Sequence, residues 1–129
     1  MPEATDLVIL VFGMNQAGDA GDSFHRDITQ IVETVRVSCP QTELLPVSCM
    51  LPNTDTVTFC RHKLAAQEEA LYQVQRERDG VGVVPVHSLF AAMADKGKKF
   101  VDYTSNNINH PNDFAVRVYA QAVLAALEG

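Results

Sequence analysis

Apolar residues along this chain repeat with two different periods, and the places where one period gives way to the other divide it into elements. Leu7-Val-Ile-Leu-Val-Phe12 is an unbroken, largely β-branched run that stops at Gly13, the pattern of a strand buried on both faces. Phe24, Ile28, Ile31, Val32 and Val35 then recur at helical spacing, which predicts an amphipathic helix with Asp22 or Ser23 as its N-cap. Glu43-Leu-Leu-Pro-Val-Ser48 reads as a second strand. Pro46 cannot donate to a ladder, so a bulge or a short paired stretch is expected there. Leu64, Ala65, Glu68, Leu71, Tyr72 and Gln75 mark the next helix, and Val81-Gly-Val-Val-Pro-Val86 a third strand. Ser88 could cap a short helix running to Met93. In the last helix, capped by Asn112 with Pro111 just outside, Phe114, Val118, Ala122 and Leu127 share a face.

Strands alternating with helices predict a single α/β domain over residues 1–129, a three-layer α/β/α arrangement around a parallel sheet, flavodoxin-like in its general form. Such sheets bind ligands beyond the carboxyl ends of their strands. That directs attention to Gly13-Met-Asn15 after the first strand, Met50-Leu-Pro-Asn53 after the second and His87 after the third, with His110 ahead of the last helix reaching the same rim. Met14 is expected to pack, and His25 and His62 to lie on solvated faces without a role.

Composition narrows the partners. With 47% apolar and 20% charged residues the chain has what one globular core needs. A net charge of -6, with no basic run longer than Lys98-Lys99, argues against nucleic acid and anionic membrane surfaces. The Leu7 to Phe12 run is too short to cross a bilayer and nothing before it resembles a secretory leader, so a cytoplasmic location is expected. Cys39, Cys49 and Cys60 are odd in number and lack C-x-x-C spacing. They are expected to be buried free thiols rather than a disulfide framework or a zinc site. Asp19 and Asp22 among glycines lack the calcium-loop spacing with its terminal Glu. No metal and no cofactor is expected.

Two blocks carry a family resemblance. Asp6-Leu-Val-Ile-Leu-Val-Phe-Gly-Met-Asn15 resembles the third block of the SGNH (GDSL-type) serine hydrolases, a buried strand ending in G-x-N. Asn109-His-Pro-Asn-Asp-Phe114, followed by Arg117-Val-Tyr-Ala120, is similar to the family's last block, where the catalytic histidine precedes the final helix. The resemblance implies an esterase or acylhydrolase acting on a small ester, with the Gly13 N–H and the Asn15 side chain as oxyanion-hole donors and His110 as general base. Preorganised donors of that kind contribute a few kcal/mol each to a barrier.

Departures from the family pattern shape the rest of the reading. The family's nucleophile block, a G-D-S motif after an earlier strand, has no counterpart ahead of Leu7. The chain therefore reads as the C-terminal half of the fold, truncated at its N-terminus and inactive alone. A literal Gly21-Asp-Ser23 does occur, and Ser23 is read first as a helix cap and second as a nucleophile. The acid three residues before the histidine is replaced by Asn107, leaving a backbone carbonyl, Asp102 or Asp113 to orient His110. Gln16 follows the G-x-N block where the family often has Asp. A missing half would leave the first strand with an open edge, so a homodimer or a complementing N-terminal fragment is expected to pair there. Two rival readings stand beside this one: a non-catalytic flavodoxin-like binding module, and a minimal hydrolase using Ser23 with His110.

Overall fold

The computed structural model describes residues 5–16, 21–56 and 60–129. Strand β1 (Leu7–Val11) leads through a short 3-10 turn (Met14–Gln16) and α1 (Gly21–Ser38) to strand β2 (Glu43–Val47). Helices α2 (Cys60–Glu77) and α3 (Val86–Asp95), a second 3-10 turn (Phe100–Asp102) and α4 (Asp113–Glu128) complete the order. β1 and β2 pair in parallel, with Leu7 opposite Glu43 and Val11 opposite Val47. The segment around residues 81–84 lies on the other side of β2 and pairs in parallel through two isolated bridges, Leu44 with Val81 and Val47 with Val84. β2 is therefore central, and no bulge interrupts it.

Pro46 explains why the third strand is reduced to bridges. Along β2 the even-numbered residues turn their backbone groups to the third segment. Leu44 N–H donates to the Gly80 carbonyl, Gly82 and Val84 N–H donate to Leu44 and Pro46, and Ser48 N–H donates to Val84. The donor that residue 46 would offer to Gly82 is the one a proline lacks. On the β1 side the register runs through the Leu10–Pro46 pair uninterrupted, because that pairing does not use the missing N–H.

Two apolar layers sandwich the sheet. Leu10, Phe24, Ile28, Val32, Val35, Leu44, Leu71, Val74 and Val81 form the layer under α1 and α2. Leu45, Val47, Met50, Leu64, Val84, Val86, Phe90, Tyr103 and Ala115 form the other, which α3 and α4 close with Val118, Tyr119, Ala122 and Val123. This is the expected α/β/α arrangement.

Four sequence expectations are corrected. β1 is not buried on both faces: Ile9, Val11 and Phe12 are 44%, 57% and 52% exposed, because β1 is an edge strand whose only partner among the described residues is β2. α1 starts at Gly21, so Asp22 and Ser23 lie in its first turn rather than at the N-cap. α3 starts at Val86, so His87 and Ser88 belong to its first turn and not to a strand end or a cap. In α4 the inward face carries Ala115, Val118, Tyr119 and Ala122, while Phe114 and Leu127 are exposed. Asn112 does cap α4, accepting from Ala115 N–H at 3.1 Å. Asp19 and the Cys60 side chain lie outside the described residues. Of the other thiols, Cys39 and Cys49 are buried and form no disulfide among the described residues.

Candidate active site

The chain leaves β1 through Gly13, whose φ of +124° is open to glycine and strained for any other residue. A side chain there is excluded sterically as well, since a Cβ on Gly13 would stand 2.5 Å from Gln67 Oε1. The buried Gln67 reaches across from α2 and fastens the turn by donating to the Gln16 carbonyl at 2.9 Å and, more weakly, to the Gly13 carbonyl at 3.4 Å. Gln16 N–H closes the turn on Gly13 O at 3.0 Å. The carbonyls of this turn are thus turned toward α2, and Asn15 is left exposed at its outer corner. Met14 packs on the core, as expected.

Across the rim, residues 104–111 form the loop that carries His110. An antiparallel bridge between Thr104 and Pro111 closes its base, and Ser105 N–H donates to the His110 carbonyl at 2.8 Å. Inside the loop, Asn106 Oδ1 accepts from the backbone N–H groups of Ile108, Asn109 and His110 at 2.9 to 3.0 Å. These bonds shape the loop from within, and His110 is exposed. None of the three expected orienting groups reaches its ring by hydrogen bond among the described residues. Asp102 is occupied by Lys99 N–H at 3.0 Å, and Asp113 lies in the first turn of α4. Asn107, at the acid position, has φ of +58° and offers no carboxylate.

Between the two loops lies a cavity of about 460 Å³. Gly13 and Asn15 line it from one side, Asn109 and Pro111, the neighbours of His110, from the other, over a floor of Cys49, Met50 and Tyr119. Neither Ser23 nor His110 itself lines it; Ser23 sits on α1 and has a partner of its own. The floor is chemically quiet. Burial pushes the Cys49 thiol up to about 11 and also raises the Tyr119 phenol, whose oxygen accepts from Met50 N–H at 2.7 Å.

A family model of GDSL-like lipases and acylhydrolases matches residues 2–118. The chain belongs to that family. No curated protein and no solved structure matches it. As a GDSL-like domain it has the family's general esterase or acylhydrolase function, on an α/β/α fold. Among the described residues no helix is long and apolar enough to cross a membrane, and no group of three or more His, Cys, Asp or Glu could hold a metal ion.

Two features of this GDSL-like domain were not read from the sequence. One is a polar cluster at the ends of β2 and the third segment, buried except at Ser88. The Glu68 carboxylate, 4% exposed, accepts from Ser48 Oγ at 2.6 Å, from Ser88 Oγ, and from Ser88 N–H at 3.2 Å, while Ser48 Oγ accepts from His87 N–H at 2.9 Å. Pro85 gives α3 no side-chain cap, so Glu68 and Ser48 do that work from neighbouring elements. The other is the pairing of His25 with Glu77 at 2.9 Å between α1 and α2, on a face expected to be idle. Spacing alone signals neither, because each joins residues distant in sequence.

Proposed function

We propose that this domain hydrolyses carboxylic esters at the cavity between Gly13 and the His110 loop, and that it needs a hydroxyl nucleophile these residues do not supply. The observation that carries the reading is that one cavity unites Gly13 and Asn15 with both neighbours of His110. An ester carbonyl seated there meets the Gly13 N–H and the Asn15 side-chain amide, donors that gain strength as the oxygen becomes negative. His110 takes the proton of the attacking hydroxyl and returns it to the departing alcohol. The hydroxyl oxygen forms a C–O bond to the acyl carbon as the C–O bond to the departing alcohol breaks. Water, deprotonated by the same imidazole, then attacks the new ester, releases the carboxylic acid and restores the hydroxyl.

The open side of this site is the edge of β1. Val11 and Phe12 line the cavity and are exposed along that edge, whose outward backbone groups have no strand partner among the described residues. A strand bearing the nucleophile would cover both the apolar side chains and the open ladder. Light scattering on the purified chain separates this from pairing of two copies, which would appear as a dimer mass.

Hydrolysis of p-nitrophenyl acetate, with and without added methanol as an external hydroxyl, tests the site. Low turnover is expected from the chain alone. Methanol should accelerate it, and His110→Ala or Asn15→Ala should abolish the acceleration. Equal rates in wild type and both variants would overturn the proposal, and a selective loss in Ser23→Ala would favour the minimal hydrolase that uses Ser23 with His110.

A further inference from the structure

Asn53 does not line the cavity. It lies just beyond β2, 4% exposed, and its polar atoms are directed at the base of the His110 loop. Its backbone N–H donates to the Ile108 carbonyl at 2.7 Å and its Nδ2 donates to the Asn107 carbonyl at 2.8 Å. Its Oδ1 accepts from Asp55 N–H at 2.9 Å, which fixes the amide orientation, and Thr56 Oγ1 donates to its carbonyl at 3.1 Å. A buried side chain thus ties the central strand's exit to two consecutive residues of an otherwise exposed loop. The residue whose carbonyl it grips is the one in the left-handed conformation, Asn107, three places before His110.

We infer that Asn53 is a positioning residue for His110, holding the loop backbone that carries the imidazole beside the cavity, where Asn109 and Pro111 line the wall, although no carboxylate partner hydrogen-bonds its ring. The inference rests on the ester-hydrolase reading for its chemistry, but the geometry it claims can be read without any reaction. Four bonds within the loop come from the Asn106 side chain, and they shape the loop without fixing it to the domain. The Thr104–Pro111 bridge fixes its base. The two Asn53 bonds fix its far side to the core. Misplacing a general base by about 1 Å can cost on the order of a hundredfold in rate, so a clamp of this kind acts on turnover rather than on substrate binding.

The decisive variant is Asn53→Asp. It keeps an oxygen for Asp55 N–H, removes the donor to Asn107, and turns an acceptor toward that carbonyl. Thr56→Val is the control, since it loosens the same turn without touching the Asn107 bond. The His110 ring resonances are followed by NMR through a pH titration, together with hydrogen exchange of the 106–110 amides and ester turnover in the presence of methanol. In Asn53→Asp the His110 signals should shift and broaden, the 106–110 amides should exchange at least tenfold faster, and kcat should fall about tenfold with KM within twofold. Thr56→Val should match wild type in all three. Should Asn53→Asp fail to fold, Asn53→Ser, which keeps a shorter donor, gives the same readings with smaller changes. Unchanged His110 resonances and loop exchange in a folded Asn53 variant would overturn the inference. Altered resonances with no His110-dependent turnover in any protein would leave the clamp standing and remove the ester-hydrolase reading instead.

Discussion

Two polar clusters sit at the carboxyl rim of the same sheet, and they use similar residues to opposite ends. At the exit of β2 and the third segment, Ser48, Glu68, Ser88 and His87 look on paper like the parts of a serine–histidine–acid triad. In space the two serines donate straight to the carboxylate, and His87 meets Ser48 through its backbone N–H, not its ring. Every hydroxyl there is engaged, three of the four residues are buried, and the cluster caps α3. At the exit of β1, Gly13 and Asn15 line a cavity together with Asn109 and Pro111, the residues on either side of the exposed His110. What separates the two is not residue type but whether the reactive atoms are consumed by the fold. Groups consumed by hydrogen bonds within the fold give stability, whereas accessible, preorganised and unconsumed groups are the ones available for chemistry.

The sharpest way to break this contrast is Glu68→Ala. Removing the carboxylate leaves the buried Ser48 hydroxyl only its longer bond to the Val84 carbonyl at 3.3 Å and takes the acceptor from the Ser88 hydroxyl and N–H at the exposed side of the cluster. We expect a loss of about 2 kcal/mol in stability, read from denaturant unfolding. Glu68→Gln, which keeps one acceptor, should lose less. A Glu68→Ala protein with undiminished stability and abolished ester turnover would mean that the inner cluster is the catalytic one. The opposite signature is expected of Asn15→Ala, whose residue is exposed on a short turn. It should lower methanol-assisted turnover by about a hundredfold, the usual effect of one oxyanion donor, while the melting temperature stays put.

The contrast also shows which parts of the fold and site the sequence makes legible. Element order and layer structure follow from the shift between continuous and helical apolar spacing, and the G-x-N and N-H-P-N blocks locate both walls of the cavity. The apolar run at Leu7 to Phe12 misled about burial, because a run fit for a central strand looks the same when the strand lies at an edge. Ser88 and Ser23 misled as caps because the helices began earlier, with α3 capped from Glu68, a residue of another helix. Asn53 was visible as a residue past the second strand, but its grip on Asn107 spans 54 positions. Contacts of that range are set by tertiary packing and leave no mark in local spacing.

The smallest expected effect concerns His87, and it tests whether the inner cluster is closed to water on the His87 side. Burial disfavours its charged form and lowers its pKa below the ordinary 6.5; the Glu68 charge opposes that, and Arg61 adds to it. Its Nδ1 is buried with no partner among the described residues. On unfolding, the imidazole regains its ordinary proton affinity. Between the lowered folded value and 6.5 the unfolded chain therefore binds more protons, so stability rises with pH across that window and falls on acidification. Above the window this group contributes no slope, and below it the loss is complete. His87→Gln removes the titration while keeping a polar side chain, so its stability should decline less than that of wild type as pH drops from neutrality to about 5. The His25–Glu77 pair is common to both proteins and cancels in the difference. Parallel stability curves would mean that His87 takes up its proton in the folded state as easily as in the unfolded one. The inner cluster would then be open to solvent, and its exclusion from the chemistry could not rest on burial.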